Sequence, residues 1–322
     1  MRFAERMREV QPSATLGITS RAKGMVREGR DVIVLAAGEP DFDTPEVVKE
    51  AAIKAIRDGF TKYTPAGGTM SLKEAVCRKL SDENNLNYDP SEIVVSSGAK
   101  HSLYNIFQVI CDPGDEVLII HPYWLSYPEM VRLAGGIPRI LMTSPERGFK
   151  VRAEDIRSAL TERTRAVVIN SPSNPAGVVY GKEELENIAA ACIEKGVIIV
   201  SDEIYEKIIY DEGEHVSIAS ISDEARSRTI VVNGVSKSFS MTGWRIGYMA
   251  GDRDIIKKVT TLQSHSTSNP SSIGQAAAER ALTAAMNDIL ESNRREFQKR
   301  RDFLLKCLSE DEKIGPFKPA GA

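Results

Sequence analysis

Up to Ala37 the pattern of apolar residues along the chain is mixed and weakly periodic, and from there to Ile93 it is typical of helices joined by loops. Between residues 47 and 56 they recur at intervals of three and four, which predicts a helix with one apolar face. Thr44 is expected as the N-cap of this helix, Pro45 as its first residue and Gly59 as its end. The other elements predicted here are a helix around residues 20–28, an apolar strand over residues 32–35 and a helix over residues 71–84.

From Ile93 onward, short β-branched runs alternate with amphipathic segments. Strands and helices joined by short loops indicate right-handed parallel crossovers, and their repetition predicts an α/β fold with helices on both faces of the sheet. The predicted strands cover residues 93–95, 116–120, 166–170, 197–201 and 229–232, and the predicted helices follow Gly98, cover residues 182–194 and run from Ser271 almost to Cys307.

The composition is that of an ordinary globular protein, since 42% of the 322 residues are hydrophobic and 27% are charged. A formal net charge of -3 gives no field for non-specific binding of nucleic acid or an anionic membrane. No apolar run has the length of a membrane span, and the N-terminus lacks the apolar core of a signal peptide. The four cysteines lie far apart and the four histidines lack metal-ligand spacing, so we expect no metal, reduced thiols and a cytoplasmic protein.

Lys237 follows one of the predicted strands and lies among small or apolar neighbours. A lysine partly removed from water, with the cation Arg245 eight positions further on, has its charged form disfavoured. Its pKa therefore falls, and the neutral amine becomes available as a nucleophile. This pattern predicts a Schiff-base lysine with an arginine for an anionic group. The alternative is a lysine at the start of a helix whose side chain extends into solvent.

The ends of the other strands also carry polar or aromatic residues, and in open α/β sheets the ligand lies beyond the carboxyl ends of the strands. A helix that begins after a glycine offers free N–H groups to a phosphate. Together with Lys237, these groups suit a phosphorylated aromatic aldehyde. They are Gly98, Ala99 and Lys100 at a helix start, Trp124 as a flat surface, Asn174 as an amide, Asp202 as a carboxylate with Tyr205 beside it, and Ser236 and Arg245 in the lysine loop.

Each of these residues has a structural alternative. Gly98 can shape a turn, Trp124 can belong to the core, Asp202 can be an N-cap and Asn174 can belong to a turn. Five strand ends that carry complementary groups favour a binding site over these separate explanations. The chain contains no Gly-x-Gly-x-x-Gly and no Gly-x-x-x-x-Gly-Lys-[Ser/Thr], which argues against dinucleotide or nucleoside triphosphate binding.

Several longer motifs carry a resemblance to a known family. The sequence resembles class I/II aminotransferases of fold type I, which depend on pyridoxal 5′-phosphate, and most closely the bacterial aspartate aminotransferases of the gamma subgroup. The resemblance covers nearly the whole chain. Its motifs are Ala-Gly-Glu-Pro-Asp-Phe-Asp-Thr-Pro at 37–45, Lys-Tyr-Thr-Pro at 62–65, Pro-Tyr-Trp-Leu-Ser-Tyr-Pro-Glu-Met at 122–130, Asn-Ser-Pro-Ser-Asn-Pro-Ala-Gly at 170–177, Ser-Asp-Glu-Ile-Tyr-Glu at 201–206 and Ser-Lys-x-Phe-x-Met-Thr-Gly-Trp-Arg-Ile-Gly-Tyr at 236–248.

The resemblance implies a role for each candidate residue around the cofactor. Lys237 would form the Schiff base, Asp202 would face the pyridine nitrogen as a catalytic carboxylate, and Tyr205 would be the third catalytic residue. Tyr63 would reach the phosphate in the other subunit, which implies a homodimer with shared sites. The remaining cofactor residues would be Asn174 with Tyr205 at the ring hydroxyl, Trp124 on the ring, and Gly98, Ala99, Ser236 and Arg245 at the phosphate. Lys100 is a further candidate for cofactor binding, as a lysine of the phosphate loop.

The resemblance also implies a ping-pong exchange of an amino group between an L-amino acid and 2-oxoglutarate. Lys100, Ser13 and Thr15 correspond to the residues that meet the side-chain carboxylate of aspartate, which is the favoured substrate. Gly38, Trp124 and Asn174 complete the expected substrate contacts. The alternatives are an aromatic amino acid or prephenate as substrate, a lyase reaction on the same cofactor, and a non-catalytic module that binds it.

The expected domains are an N-terminal arm with part of a small domain over residues 1–42, a cofactor-binding large domain over 43–285, and a bridging helix with the start of a small α/β domain over 286–322. The family continues past this point with an arginine that clamps the substrate α-carboxylate. No residue of this sequence corresponds to that arginine. The sequence is therefore expected to be a piece of a longer protein, with a naturally truncated and poorly active chain as the alternative.

Overall fold

The computed structural model describes residues 2–35 and 38–322. Within these residues, seven strands form one sheet in the order β1-β7-β6-β5-β4-β2-β3. Neighbouring strands are parallel except at β7, which is antiparallel to β1 and β6. The strands are β1 (Ile93–Ser96), β2 (Glu116–Ile120), β3 (Ile137–Leu141), β4 (Thr164–Asn170), β5 (Ile198–Asp202), β6 (Thr229–Gly234) and β7 (Gly247–Ala250).

Helices connect the strands and cover the sheet. Side chains often cap them: Asp252 accepts hydrogen bonds from two N–H groups in the first turn of α9, and the Ser271 hydroxyl accepts one in α10. The helices are α1 (Ala14–Arg27), α2 (Glu46–Arg57), α3 (Met70–Asn84), α4 (Ala99–Ile110), α5 (Ser126–Leu133), α6 (Ala153–Ala159), α7 (Lys182–Glu194), α8 (Asp223–Arg228), α9 (Arg253–Ser266), α10 (Ser272–Thr283) and α11 (Asn287–Ser309).

The central strands are buried on both faces. Along β5, Val200 packs in a core with α4, α5 and α9, whereas Ile199 packs in a core with α6 and α7 on the opposite face. A third core, between the β1-β7-β6 end of the sheet and α2, α3 and α10, includes Val231. Helices on both faces explain why these strands read as continuous apolar runs. The predicted three-layer α/β/α fold with a mostly parallel sheet is confirmed.

The predicted strand over residues 32–35 is wrong. This segment belongs to no strand, and the side chains of Ile33 and Leu35 are 85% and 92% exposed. An extended apolar segment becomes a strand only when a neighbouring strand takes up its backbone hydrogen bonds. No such neighbour is present among the described residues.

Two details of the predicted helices also need correction. Pro45, rather than Thr44, is the N-cap of α2, because the Thr44 hydroxyl donates to the carbonyl oxygen of Ser240 at 2.8 Å and accepts from Trp244 Nε1 at 2.9 Å. The single helix predicted after Ser271 is two helices, since the chain leaves the helical conformation at Ala284 and α11 begins after the buried Met286. Among the described helices, none is both long enough and apolar enough to cross a membrane.

Candidate active site

The carboxyl ends of the parallel strands meet at one edge of the sheet, beside a cavity of about 330 Å³. The segments that follow β4, β5 and β6 each contribute to its wall. This arrangement brings together several of the residues predicted from the sequence. The cavity is lined by Gly38, Asn174, Tyr205 and Lys237, with Glu39, Pro40, Ser173, Pro175, Gly177, Ile208, Phe297, Pro319, Gly321 and Ala322.

Lys237 is half-buried in this wall, and its Nζ donates a hydrogen bond to the carbonyl oxygen of Gly38 at 2.6 Å. The amine lies 5.7 Å from the centre of the Tyr205 ring. Burial lowers the pKa of Lys237; Glu39 and Asp202 act to raise it, and Arg245 lowers it further. The net direction is downward, so a larger fraction of this amine is neutral than in an ordinary surface lysine.

Asp202 ends β5 and is 4% exposed. Its Oδ2 accepts a hydrogen bond from the Tyr127 hydroxyl at 2.6 Å, and its Oδ1 accepts one from the Ile204 N–H at 3.3 Å. Burial raises the pKa of Asp202 to about 6, against the lowering effect of these two hydrogen bonds. A carboxylate at this edge of the sheet is suited to pair with a cation that enters the cavity.

Asn174 and Tyr205 are joined at the cavity wall, where Asn174 Nδ2 donates to the Tyr205 hydroxyl at 3.3 Å. Asn170 holds this pair in place: its Oδ1 accepts from the Asn174 N–H at 2.8 Å, and its Nδ2 donates to the carbonyl oxygen of Asp202 at 2.9 Å. Burial, with a further contribution from Asp202, raises the pKa of Tyr205 to about 12. The hydroxyl therefore keeps its proton and can donate a hydrogen bond in addition to the one that it accepts from Asn174.

Gly98 and Arg245 form the candidate anion site. Gly98 has a φ of +90° and a Cβ there would lie 2.4 Å from Nη2 of Arg245, so only glycine allows the guanidinium to lie against the start of α4. Arg245 also has a positive φ, +57°, and its Nη1 donates to the carbonyl oxygen of Thr242 at 2.8 Å. A Cβ on Gly247 would lie 2.1 Å from the Ala99 nitrogen, so this glycine lets β7 approach the same helix start. Ser236 is buried in the lysine loop.

Lys100 and Trp124 lie on the side of the site near α4 and α5. The Lys100 ammonium lies 4.7 Å from the centre of the Trp124 ring, and the Trp124 and Tyr127 rings pack edge to face with their centres 5.4 Å apart. The Lys100 side chain is largely exposed, yet partial burial of its ammonium and the charge of Arg245 lower its pKa. A cation in this position is available to a second anionic group.

Of the predicted site residues, Gly38, Asn174, Tyr205 and Lys237 line the described cavity wall, and the others, including Tyr63, Ser13 and Thr15, do not. Tyr63 is 90% exposed. Ser13 caps α1, where its hydroxyl accepts from the Leu16 N–H at 3.4 Å, and Thr15 lies in the first turn of the same helix. Neither residue is among those that form the described cavity wall. Their predicted roles stay predictions.

Tyr127, Asn170 and Glu39 contribute to the site but were not predicted from the sequence. Tyr127 lies within the motif at 122–130, but its position in that motif does not indicate a contact with Asp202. Asn170 carried a weak signal as the last polar residue of its strand. The Thr242 hydroxyl donates to the Glu39 carboxylate, a contact across the fold that no local pattern reveals.

A second cluster, which the histidine spacing did not reveal, lies behind the site. Ligand atoms of Glu203, Glu206 and His215 lie within 4.8 Å of one another. His215 Nε2 contacts Glu203 at 3.0 Å, and the Lys79 ammonium is paired with Glu206. Because Lys79 supplies a positive charge inside the protein, the cluster needs no metal ion for neutralisation, and we assign none.

The groups at the cavity fit pyridoxal phosphate. They provide an amine of lowered pKa, a buried carboxylate, a pair of hydrogen-bonding side chains and a glycine at a helix start beside an arginine. Such a set on an open, mostly parallel α/β sheet defines a protein that binds pyridoxal phosphate.

Comparison with known proteins agrees with this class. Residues 30–322 match the family model described as "Aminotransferase class I and II". The chain is 52% identical to the aspartate aminotransferase of Bacillus sp. (strain YM-2) over 320 residues, which are 99% of this chain and 81% of the relative. It is 48% identical to a probable aspartate/prephenate aminotransferase of Aquifex aeolicus over 99% of this chain and 82% of the relative. The aspartate aminotransferase of Thermus thermophilus, solved with maleate, superimposes with a TM-score of 0.97 at 46% identity and covers 100% of this chain and 84% of its own.

The chain therefore belongs to the class I and II aminotransferase family. It is a transaminase that depends on pyridoxal phosphate, as the sequence predicted. Neither a lyase nor a non-catalytic module is supported by these relatives.

Proposed function

We propose that this enzyme exchanges an amino group between L-aspartate and 2-oxoglutarate by a ping-pong mechanism. The observation that carries the reaction is the cavity in which the Lys237 amine faces the Asn174–Tyr205 pair, close to the buried Asp202. Relatives at 50% and 52% identity, named as aspartate aminotransferases, support the substrate.

In this proposal each residue has a definite task. Pyridoxal phosphate, when bound, supplies an electron sink for the charge that develops at the substrate Cα. Lys237 removes and returns the proton at that carbon, which its lowered pKa favours at neutral pH. The Asp202 carboxylate holds a proton on the ring nitrogen by charge pairing. Asn174 and Tyr205 bind the ring hydroxyl.

Apart from Gly38 and Asn174, the residues proposed for the remaining contacts lie outside the described cavity wall. Trp124 provides the flat surface for the ring. Gly38 and Asn174, together with Trp124, contact the substrate. The phosphate would be held by Gly98, Ala99, Ser236 and Arg245, where the helix start and the guanidinium both favour an anion.

Lys100 is the proposed determinant of substrate choice, with Ser13 and Thr15 as further contacts. Its ammonium over the Trp124 ring is placed to attract the side-chain carboxylate of aspartate. Prephenate is a second candidate substrate, because relatives from Aquifex aeolicus and Thermus thermophilus are named as aspartate/prephenate aminotransferases. The Trp124 ring could also contact an aromatic substrate.

We further propose a homodimer with shared sites, in which Tyr63 reaches the phosphate in the partner. Its 90% exposure and the exposed apolar side chains of the N-terminal arm, among them Leu16 at 67% and Ile18 at 57%, support this arrangement. The division into residues 1–42, 43–285 and 286–322 is part of the same proposal, since α2 to α10 surround the sheet and α11 follows them. Four free cysteine thiols support a cytoplasmic location.

Borohydride reduction of the cofactor-loaded enzyme tests the central assignment. The expected result is a pyridoxyl group on Lys237 in the peptide mass map and none in Lys237→Ala. Modification of a different lysine would exclude Lys237 as the attachment point.

Substrate choice is tested by comparing kcat/KM for aspartate, phenylalanine and prephenate in the parent enzyme and in Lys100→Ala. We expect a loss of about 100-fold on aspartate, since a charged hydrogen bond contributes about 1.5–3 kcal/mol, and little change on phenylalanine. An equal loss on both substrates would show that Lys100 does not determine substrate specificity. Lys182→Ala, an exposed lysine at the start of α7, is the control.

A further inference from the structure

Tyr127 lies in the first turn of α5 and is only 2% exposed. Its hydroxyl donates to Asp202 Oδ2 at 2.6 Å, within the short range of hydrogen bonds to a charged oxygen. Among the described residues, the only other donor to this carboxylate is the Ile204 N–H, at 3.3 Å from the opposite oxygen. Tyr127 also contacts Trp124 edge to face, so it joins the proposed ring platform to the proposed partner of the ring nitrogen.

The direction of this hydrogen bond follows from the chemistry of the two groups. Burial and the neighbouring Asp202 raise the pKa of Tyr127 far above its usual value, so the phenol keeps its proton and acts as the donor. The ionised Asp202 carboxylate can accept the hydrogen bonds from both the Tyr127 hydroxyl and the Ile204 N–H. Protonation of either oxygen would weaken the hydrogen bond that this oxygen accepts. Removing the hydroxyl leaves Oδ2 buried without a donor, a change that favours the neutral acid.

The other groups that face Asp202 do not replace Tyr127. Glu203 next to it opposes ionisation of the Asp202 carboxyl, and Lys237 across the cavity supports it. Lys237 is itself half-buried and of lowered pKa, which weakens its support as the pH rises. Tyr205 is a neutral phenol whose hydroxyl is engaged with Asn174.

We propose that Tyr127 is a positioning residue for transamination: its hydroxyl keeps the Asp202 carboxylate ionised and oriented toward the ring of the cofactor. The proposal rests on the proposed function, because it takes Asp202 to be the partner of the ring nitrogen. It requires that Tyr127 act through Asp202 and touch neither substrate nor cofactor through its hydroxyl.

The test compares Tyr127→Phe with Tyr180→Phe. Tyr180 is a matched control, because it is similarly buried and its hydroxyl accepts from the Val151 N–H at 3.2 Å rather than donating to Asp202. In the cofactor-free protein, the titration of the Asp202 carboxyl is followed by infrared difference spectroscopy and assigned by its loss in Asp202→Asn. We expect the midpoint to rise by about 1–2 pH units in Tyr127→Phe and to stay unchanged in Tyr180→Phe.

Cofactor affinity gives a second readout with a distinctive pH profile. Suppose that pyridoxal phosphate binds only when Asp202 is ionised and that the Asp202 midpoint rises by about 1.5 units from about 6 in Tyr127→Phe. At about pH 7 this variant should then bind the cofactor about fourfold more weakly than the parent protein. The same shift gives a deficit of more than about tenfold at about pH 6 and almost none at about pH 9. A variant that merely loosens the fold would lose affinity at every pH.

The outcomes separate the two proposals. An unchanged Asp202 midpoint in Tyr127→Phe, or an affinity loss that is the same at every pH, overturns the role of Tyr127. If Asp202→Asn binds the cofactor and transaminates as the parent enzyme does, the proposed function of Asp202 fails even if the midpoint shift in the cofactor-free protein is observed. A midpoint shift together with the pH-dependent affinity loss supports both.

Discussion

Lys237 Nζ donates a hydrogen bond to the carbonyl oxygen of Gly38 at 2.6 Å, which joins the loop after β6 to the segment that precedes α2. Two further contacts reinforce this junction: the Thr242 hydroxyl donates to Glu39, and the Thr44 hydroxyl donates to the carbonyl oxygen of Ser240. The segment at 38–44 is therefore joined to the lysine loop by three hydrogen bonds, and the charge of Glu39 is held near the amine.

We expect Glu39→Gln to lower the pKa of Lys237. Glu39 acts to raise that pKa, because a nearby negative charge favours the ammonium form, so its removal leaves burial and Arg245 less opposed. In the cofactor-free protein, labelling of Lys237 by an amine-reactive reagent should reach half-maximal rate at lower pH. The rate is read for this residue alone by peptide mass spectrometry.

Thr242→Val is the control for this variant, since it removes the hydrogen bond to Glu39 but retains the charge. Its labelling midpoint should move less than that of Glu39→Gln. A midpoint that is unchanged in Glu39→Gln, or higher, would contradict a role for Glu39 in setting the protonation of Lys237.

The sequence predicted the residues that come directly after parallel strands. Asp202, Asn174 and Lys237 were found because strand periodicity locates the strand ends, and parallel strands bring those ends to one edge. Five of the seven described strands were predicted from the same pattern, whereas β3 and β7 were not. This part of the site depends on local sequence and on a general rule of topology.

The rest depends on contacts between distant segments. Thr44 has the local chemistry of an N-cap, yet hydrogen bonds with Ser240 and Trp244 take its side chain instead. Tyr127 reaches Asp202 only because α5 packs against the sheet near the end of β5. His215 meets Glu203 in the same way, without any regular spacing in the sequence. Whether these residues form hydrogen bonds with each other depends on how the folded chain orients their side chains.

Gly98→Ala should weaken cofactor binding with only a modest loss of stability. The new Cβ would meet the end of the flexible Arg245 side chain, so the guanidinium is displaced while the backbone remains in place. The positive φ adds a strain of about 1–2 kcal/mol. We expect the dissociation constant of pyridoxal phosphate to rise about tenfold or more, measured by titration of the cofactor-free protein, because a charged contact to the phosphate is lost.

Gly243→Ala provides a matched control in the same loop as Arg245. A Cβ there meets nothing within 4 Å, and the residue does not require a positive φ. Its cofactor affinity should equal that of the parent enzyme. Equal affinities for Gly98→Ala and Gly243→Ala would place the phosphate elsewhere.

Hybrid dimers test the shared site proposed for Tyr63. We expect Lys237→Ala alone to be inactive and Tyr63→Ala alone to bind the cofactor about tenfold more weakly, through loss of a hydrogen bond to a charged group. Co-expression of the two chains with different tags allows the hybrid to be purified. In a shared site, one of its two sites combines an intact Lys237 with an intact Tyr63, so about half of the parent activity returns at low cofactor concentration.

The opposite arrangement gives a different result. If each site uses Tyr63 of its own chain, the site with an intact lysine keeps the Tyr63→Ala defect. The hybrid would then bind the cofactor no better than Tyr63→Ala itself. A monomeric parent enzyme in light scattering would also contradict the proposal.

The ion pair of Lys79 and Glu206 behind the site should make a large contribution to stability. Their side chains are 5% and 6% exposed, and Asn84 completes the network by accepting from Lys79 at 2.6 Å and donating to Glu206 at 2.8 Å. Lys79→Met leaves the Glu206 carboxylate buried, with His215, the partly exposed Lys207 and Glu83, the partner of Lys207, nearby. We expect a loss of about 3–5 kcal/mol in the free energy of unfolding at neutral pH, measured with denaturant.

The pH dependence of this loss has a defined sign. Burial acts to raise the pKa of Glu206, but Lys79 and His215 outweigh it and bring that pKa from the usual 4.5 down to about 2. The pair therefore stabilises the parent protein fully above about pH 4.5, and this contribution disappears as the pH falls toward about 2. In Lys79→Met the lone carboxyl becomes easier to protonate, so the difference from the parent should shrink between about pH 7 and about pH 4.

The double variant Lys79→Met with Glu206→Gln should recover most of the loss, because no buried charge is left unpaired. A cost below about 1 kcal/mol for Lys79→Met, independent of pH, would mean that the pair behaves like an exposed salt bridge and does not hold the segment that carries Asp202 and Tyr205.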